Sequence, residues 1–157
     1  MRSTATPAAI SIGDLPVQRL REAPALLAAQ WEETATEKVF MDLDPDWRTY
    51  EAMERTGRLL TLGVFDGSDL VGYSLGIVMP HPNCVSKVHY SNAQFYVLPS
   101  HRRSGIGRFL YNTTRQRAMT AGAEFILWRV KPGSPMDRVL REWATVAEQE
   151  IVLSEVL

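Results

Sequence analysis

Residues 94–110 read QFYVLPSHRRSGIGRFL, and no other stretch narrows the fold as far. The apolar residues before Pro99 suit a strand, whereas Ile106, Leu110, Thr114, Ala118 and Ala121 fall on one face of a helix. Between them lie the basic pair Arg102 and Arg103 and the glycines Gly105 and Gly107. A chain that passes from a buried strand directly into a long helix needs a sheet on which that helix can pack. The helix N-terminus offers unpaired N–H groups and roughly half a unit of positive charge, a natural seat for phosphate. Gly105 and Gly107 have no Cβ to obstruct an anion, and Arg102, Arg103 and Arg108 add attraction and forked hydrogen bonds. A tight surface turn with solvated arginines explains a lone Gly-x-Gly equally well. The order strand, proline, basic pair, glycines and helix favours the phosphate seat.

The flanking segments supply the sheet. Leu20, Ala23, Leu26, Leu27 and Trp31 recur at spacings of three and four, which predicts one amphipathic helix over residues 17–36. In DLDPDWRTYEAMERTG, Asp44 suits a helix cap, Pro45 the first helical position and Gly57 the stop. RLLTLGVFDG and DLVGYSLGIVMP are two strands joined through Asp66, Gly67 and Ser68, strong hairpin chemistry. After the turn-rich PHPNCVSK, a third strand covers residues 88–98. The helix that follows is capped by Gly122 and is about 22 Å long at 1.5 Å per residue. EFILWRV then reads as a strand, PMDRVLREWA as a helix and EQEIVLSEV as a last strand, with a short further strand near Ile10 and Ile12. The expected fold is mixed α/β, a largely antiparallel central sheet with helices on both faces.

Composition excludes several functions. At 157 residues and 45% apolar content the chain is one domain with its own core, with residues 1–9 expected to be flexible. A net charge of -1 argues against nucleic acid or a membrane surface as a general partner. No apolar run reaches the roughly 20 residues of a membrane span, and MRSTATPAAI lacks the apolar core of a signal peptide. Cys84 is the only cysteine, so no internal disulfide forms, and a reducing, cytoplasmic setting is expected. His81 and Cys84 fall short of the four ligands of a structural zinc, and no metal is expected. Trp31, Trp47, Trp128 and Trp143 are too scattered for a base-stacking platform.

Three phosphate-binding patterns compete for the glycine turn. The Walker string is absent. The dinucleotide fingerprint fits at Gly105, Gly107 and a downstream Glu124, but Leu110 stands where its third glycine belongs. The string YVLPSHRRSGIGRFL resembles the acetyl-CoA signature of GNAT-type N-acetyltransferases, a strand ending in Val-x-Pro followed by Arg-x-x-Gly-x-Gly and a helix. Arg102, Gly105 and Gly107 match it residue for residue, and the order of elements agrees over nearly the whole chain. DLDPDWRTYEAMERTGRLL, LVGY, HY and WRVKPGSP are also similar to small GNAT proteins encoded by phages and prophages.

The resemblance implies that acetyl-CoA is bound and its acetyl group passed directly to a primary amine of a small molecule or protein. The cofactor's pyrophosphate would lie on Arg102, Arg103, Ser104, Gly105, Ile106, Gly107 and Arg108, and its pantetheine along Phe95, Tyr96 and Val97. A backbone N–H near Val97 or Leu98 would face the thioester carbonyl. Many family members pair as dimers, which adds a homodimer to the implied partners. The chain departs from the family's better-known members: ILWRVK carries Arg129 in place of a glutamate base, and Arg141 stands near the position of a tyrosine acid. His89, with an ordinary pKa of about 6.5, is the first choice of base, and Tyr90, Tyr96 and Tyr111 are candidate acids. Glu32 and Glu33 could face the acceptor amine. A catalytically weak CoA-binding or interaction module is the alternative.

Overall fold

The computed structural model describes residues 9–145 and 155. Its five-stranded sheet runs in sequential order: β1 (Ile10–Asp14), β2 (Leu59–Asp66), β3 (Asp69–His81), β4 (Cys84–Val97) and β5 (Phe125–Leu127). The first four strands pair antiparallel, and β5 joins β4 in parallel. The helices are α1 (Val17–Arg21), α2 (Pro24–Thr34), α3 (Trp47–Arg55), α4 (Ile106–Thr120) and α5 (Pro135–Trp143). Among the described residues, no helix is long and apolar enough to cross a membrane.

Both faces of the sheet are covered, as the expected fold class requires. On one, Leu20 of α1 and Leu26 and Leu27 of α2 pack on Tyr73, Leu75 and Tyr96. On the other, Ile106 and Leu110 of α4 pack on Leu62, Val64, Val71 and Val97. Full burial of each such aliphatic side chain is worth about 1.5–3 kcal/mol.

Four expectations are corrected. The helix over residues 17–36 is two helices, because Pro24 has no N–H to donate and opens a new helix. The cap of α3 is Asp46, which accepts the Thr49 N–H at 3.0 Å, and Asp44 and Pro45 lie outside the helix. PHPNCVSK is a tight hairpin, since β3 continues to His81 and β4 begins at Cys84. Pro80 is tolerated because pairing with β2 ends at Ile77, leaving β3 a free side there. EFILWRV keeps only residues 125–127 as strand, and the chain leaves β4 at Trp128. The strand expected in EQEIVLSEV falls on residues 148–156, which lie outside the described residues except for Glu155. The hairpin at Gly67 (φ 63°) and the stops at Gly57 (φ 67°) and Gly122 (φ 92°) form where the sequence places them.

Candidate active site

The site is built on an opening in the sheet. β5 pairs with β4 only at His89, Tyr90 and Ser91, so from Asn92 to Val97 no described strand covers that edge of β4. Six residues of open strand span roughly 20 Å. The Leu98 N–H donates to the Val71 carbonyl at 2.9 Å, which fixes the alternation of the ladder. Leu98 and Tyr96 direct their N–H groups to β3, and Val97 and Phe95 direct theirs into the opening. Of the two donors considered for a thioester carbonyl, Leu98 is therefore already used.

A 3-10 turn, Pro99–Ser104, carries the chain from that edge to α4. Gly105 ends the turn with φ 79°, a left-handed conformation suited to glycine, and caps α4. The first intrahelical bond is Phe109 N–H to Gly105 O, so Ile106, Gly107 and Arg108 present N–H groups with no acceptor within the helix. A Cβ at Gly105 would meet no atom within 4 Å, and one at Gly107 only Trp143 at 3.9 Å. The backbone of the turn is thus open to a ligand. Donors and open strand edge meet at the same end of the sheet, and together they fit a pyrophosphate carrying an extended arm.

The arginines divide by task. Arg102 turns back: its Nε donates to the Val97 carbonyl and its Nη2 to Glu33 of α2, both at 2.7 Å. The Tyr96 hydroxyl donates to the same Glu33 oxygen at 3.1 Å, and the guanidinium lies 5.2 Å from the Tyr96 ring centre. The bond from Arg102 holds the Glu33 carboxyl below the usual carboxylate range, while burial, reinforced by Glu33, pushes the Tyr96 phenol up. Among the described residues Arg103 makes no ion pair, and Arg108 lies over the Trp143 ring at 5.8 Å. Ser104 directs its hydroxyl to the His101 carbonyl at 2.9 Å. His101 is itself hydrogen-bonded to Asp66 at 3.2 Å, pinning the turn to the first hairpin.

The acid and base candidates lie in different places. Tyr90 is fully buried, its hydroxyl 3.4 Å from both Ser74 Oγ and Asn92 Nδ2. Ser74 is the cross-strand partner of Phe95, so the phenol reaches the level of the open edge. Burial raises the Tyr90 pKa. Tyr111 packs on Trp128 and Trp143 at 5.3 and 5.5 Å, and Trp128 also touches Tyr90 and Phe95. His89 is 3% exposed, stacked on Phe125 at 5.3 Å, with Nδ1 unpartnered. Burial, and secondarily His81, lowers its pKa, so it is neutral at pH 7. Phe95 lies six positions further on, roughly 20 Å along the strand. Glu32, exposed on α2, pairs with Lys38 at 3.3 Å. Arg141 is bonded to Asp137 at 3.0 Å on α5. Among the described residues, no group of three or more acidic, histidine or cysteine side chains could hold a metal ion.

Sequence reasoning missed Asn92 and the Glu33–Arg102 pair. The ion pair joins residues 69 apart and has no local signal. Asn92 had one: the residues facing α4 change from even positions, Tyr90 and Asn92, to odd ones, Phe95 and Val97, which marks an extra residue in the strand.

An open strand edge feeding a glycine-capped helix N-terminus is the architecture of an acyl-CoA-dependent transferase. The chain belongs to the acetyltransferase (GNAT) family, whose family model matches residues 23–140. Comparison with curated proteins gives no match. Among solved structures, it resembles a ribosomal-protein-alanine N-acetyltransferase from Brucella melitensis biovar Abortus 2308, with 19% identity, TM-score 0.69 and coverage of 95% of this chain and 99% of that one. An aminoglycoside acetyltransferase from an uncultured soil metagenomic sample gives 18% identity and TM-score 0.70, over 94% and 95% of the two chains. A transcriptional regulator from Bacillus halodurans C-125 gives 15% identity and TM-score 0.74, over 94% and 100%. At these identities the likeness is one of fold.

Proposed function

We propose that this chain is a single N-acetyltransferase domain that passes an acetyl group from acetyl-CoA to a primary amine of a small molecule or protein. The observation that carries the reading is the edge of β4 that no described strand pairs, leading straight into the N–H groups at the start of α4 that have no acceptor among the described residues. Acetyl-CoA, when bound, supplies an acyl group activated as a thioester. Ile106, Gly107 and Arg108 offer N–H groups to the pyrophosphate, with Arg103 and Arg108 adding charge and Ser104 and Gly105 shaping the turn. Arg102 acts behind the turn, tying it to Val97 and to Glu33. Phe95 and Val97 offer outward N–H groups to the extended arm, while Tyr96 anchors the strand through its side chain. Phe95 is the farther of the two from the phosphate seat, which favours it as the donor to the reacting carbonyl, where its N–H would stabilise developing negative charge.

An acceptor amine with a pKa of about 10.4 must lose a proton before it attacks. Neutral His89 can accept that proton only through water, given its distance from Phe95. The Tyr90 phenol, kept protonated by burial, is the first candidate to donate to the departing thiolate, with Tyr111 as the second. The burial of His89 favours a second reading, a module on this fold that binds CoA and turns over weakly. Calorimetry with acetyl-CoA, followed by thiol release across a panel of amines, separates them. Binding with turnover supports the enzyme, and tight binding with no turnover on any amine the module. Retention of CoA affinity in Gly107→Trp would remove the phosphate seat from the proposal. Sedimentation of the same sample tests the homodimer.

A further inference from the structure

The ladder between β3 and β4 breaks once in the middle. Leu75 faces Gln94, but Gly76 faces Asn92, leaving Ala93 as an extra residue on β4. Such a bulge bends a strand and leaves backbone groups to find other partners. Here the side chain of Asn92, 2% exposed, supplies them. Its amide nitrogen lies 3.1 Å from the Gln94 carbonyl, 3.4 Å from the Leu75 carbonyl and 3.4 Å from the Tyr90 hydroxyl. The Tyr90 ring that closes this pocket from below fits only because residue 76 is glycine: a Cβ there would lie 2.3 Å from it.

The carbonyl of Gln94 and the N–H of Phe95 belong to one planar, trans peptide group, so they point in opposite directions. Holding the carbonyl between the strands aims the N–H into the opening. We propose that Asn92 is a positioning residue for acetyl transfer: its side-chain amide locks the Gln94–Phe95 peptide so that the Phe95 N–H faces the acyl carbonyl. This rests on the acetyltransferase reading above. The ladder pair Leu75–Gln94 holds this peptide from one side and the Asn92 amide from the other. Without the amide, a peptide at the edge of a bulge is held less tightly, and the donor drifts from the place where charge develops. Removing such a donor outright costs about 100- to 1,000-fold in kcat, and misdirecting it should cost roughly 10- to 100-fold.

The test compares the wild type with Asn92→Asp, which exchanges the donor for acceptors, and Asn92→Leu, which keeps the volume and removes both. Acetyl-CoA is the donor, and sisomicin and an alanine-terminated peptide are the acceptors. Expected is a fall in kcat of about 10- to 100-fold with KM for acetyl-CoA within about two-fold, because the phosphates are held elsewhere. Folded variants that keep the wild-type kcat overturn the inference, as does a change confined to KM. Amide spectra of 15N-labelled wild type need neither variants nor acceptor. Exchanging CoA for acetyl-CoA should shift the Phe95 N–H more than that of Tyr96, and an unmoved Phe95 signal overturns the assignment. Wild type that binds no CoA at all removes the acetyltransferase reading itself, a failure visible before any variant is made.

Discussion

Two residues show how much of this site depends on partners distant in sequence. Gly76 looks unremarkable within an apolar strand, yet the Tyr90 ring occupies the space its Cβ would need. Gly76→Ala should therefore lower stability in urea by about 1–3 kcal/mol, the usual cost of overpacking, and displace the phenol. Unchanged stability would mean that the ring is free to move aside. Glu33 is legible only as a helix-face acid, and its role as the anchor of Arg102 comes from the fold bringing α2 to the end of β4. Both partners are more than a third exposed, so Glu33→Gln should cost no more than about 1 kcal/mol at pH 7. Because the pairing lowers the folded-state pKa of Glu33, its contribution is complete above the ordinary carboxylate range and fades as pH falls through the depressed value. The stability gap between wild type and Glu33→Gln should accordingly close on acidification; a gap that widens would contradict the pairing.

The strand, turn and helix at residues 94–110 could be read in advance because each piece follows from local chemistry: alternation, a proline, a left-handed glycine and helical spacing. Gly105 adopts the positive φ that the motif suggests, at 79°. Gly105→Ala should lower stability by more than the roughly 0.4–1 kcal/mol gained by Gly→Ala at a compatible site, and weaken CoA binding as the turn reshapes. Thermal melts with and without CoA check both effects. Where local signals compete, the reading failed. Residues 17–36 carry one continuous apolar stripe, and that stripe concealed the break at Pro24, although proline can only open a helix. Asp44 and Asp46 are equally good caps in isolation, and only the Thr49 N–H decides between them. PHPNCVSK has the composition of a loop, but cross-strand pairing at Met79–His89 and Pro80–Val88 extends the hairpin through it. The acid and base were least legible of all, because proton transfer depends on distances that no spacing along the chain contains.

Among the described residues, the sheet is covered by helices on both faces, and one edge of β4 has no strand beside it from Asn92 to Val97. The N–H groups of Phe95, Val97, Ile106, Gly107 and Arg108, which no described residue accepts, are donors open to a ligand, and a ligand that satisfies them in one geometry binds the folded chain alone. Such a ligand must raise stability by RT ln(1 + [L]/Kd), about 2.7 kcal/mol at a hundred times Kd. CoA and acetyl-CoA should therefore raise the melting temperature in proportion to the logarithm of their concentration. NADH at the same concentrations should not, because Leu110 occupies the position at which a dinucleotide turn needs glycine. The phosphate contribution should fall with added salt, since Arg103 and Arg108 act partly through the field at the mouth of the turn. Stabilisation by NADH equal to that by CoA would show that the turn recognises pyrophosphate alone and that the β4 edge adds nothing. Stabilisation by CoA that survives Gly107→Trp but is lost when the pantetheine arm is absent would put the binding energy on the strand edge and not on the helix.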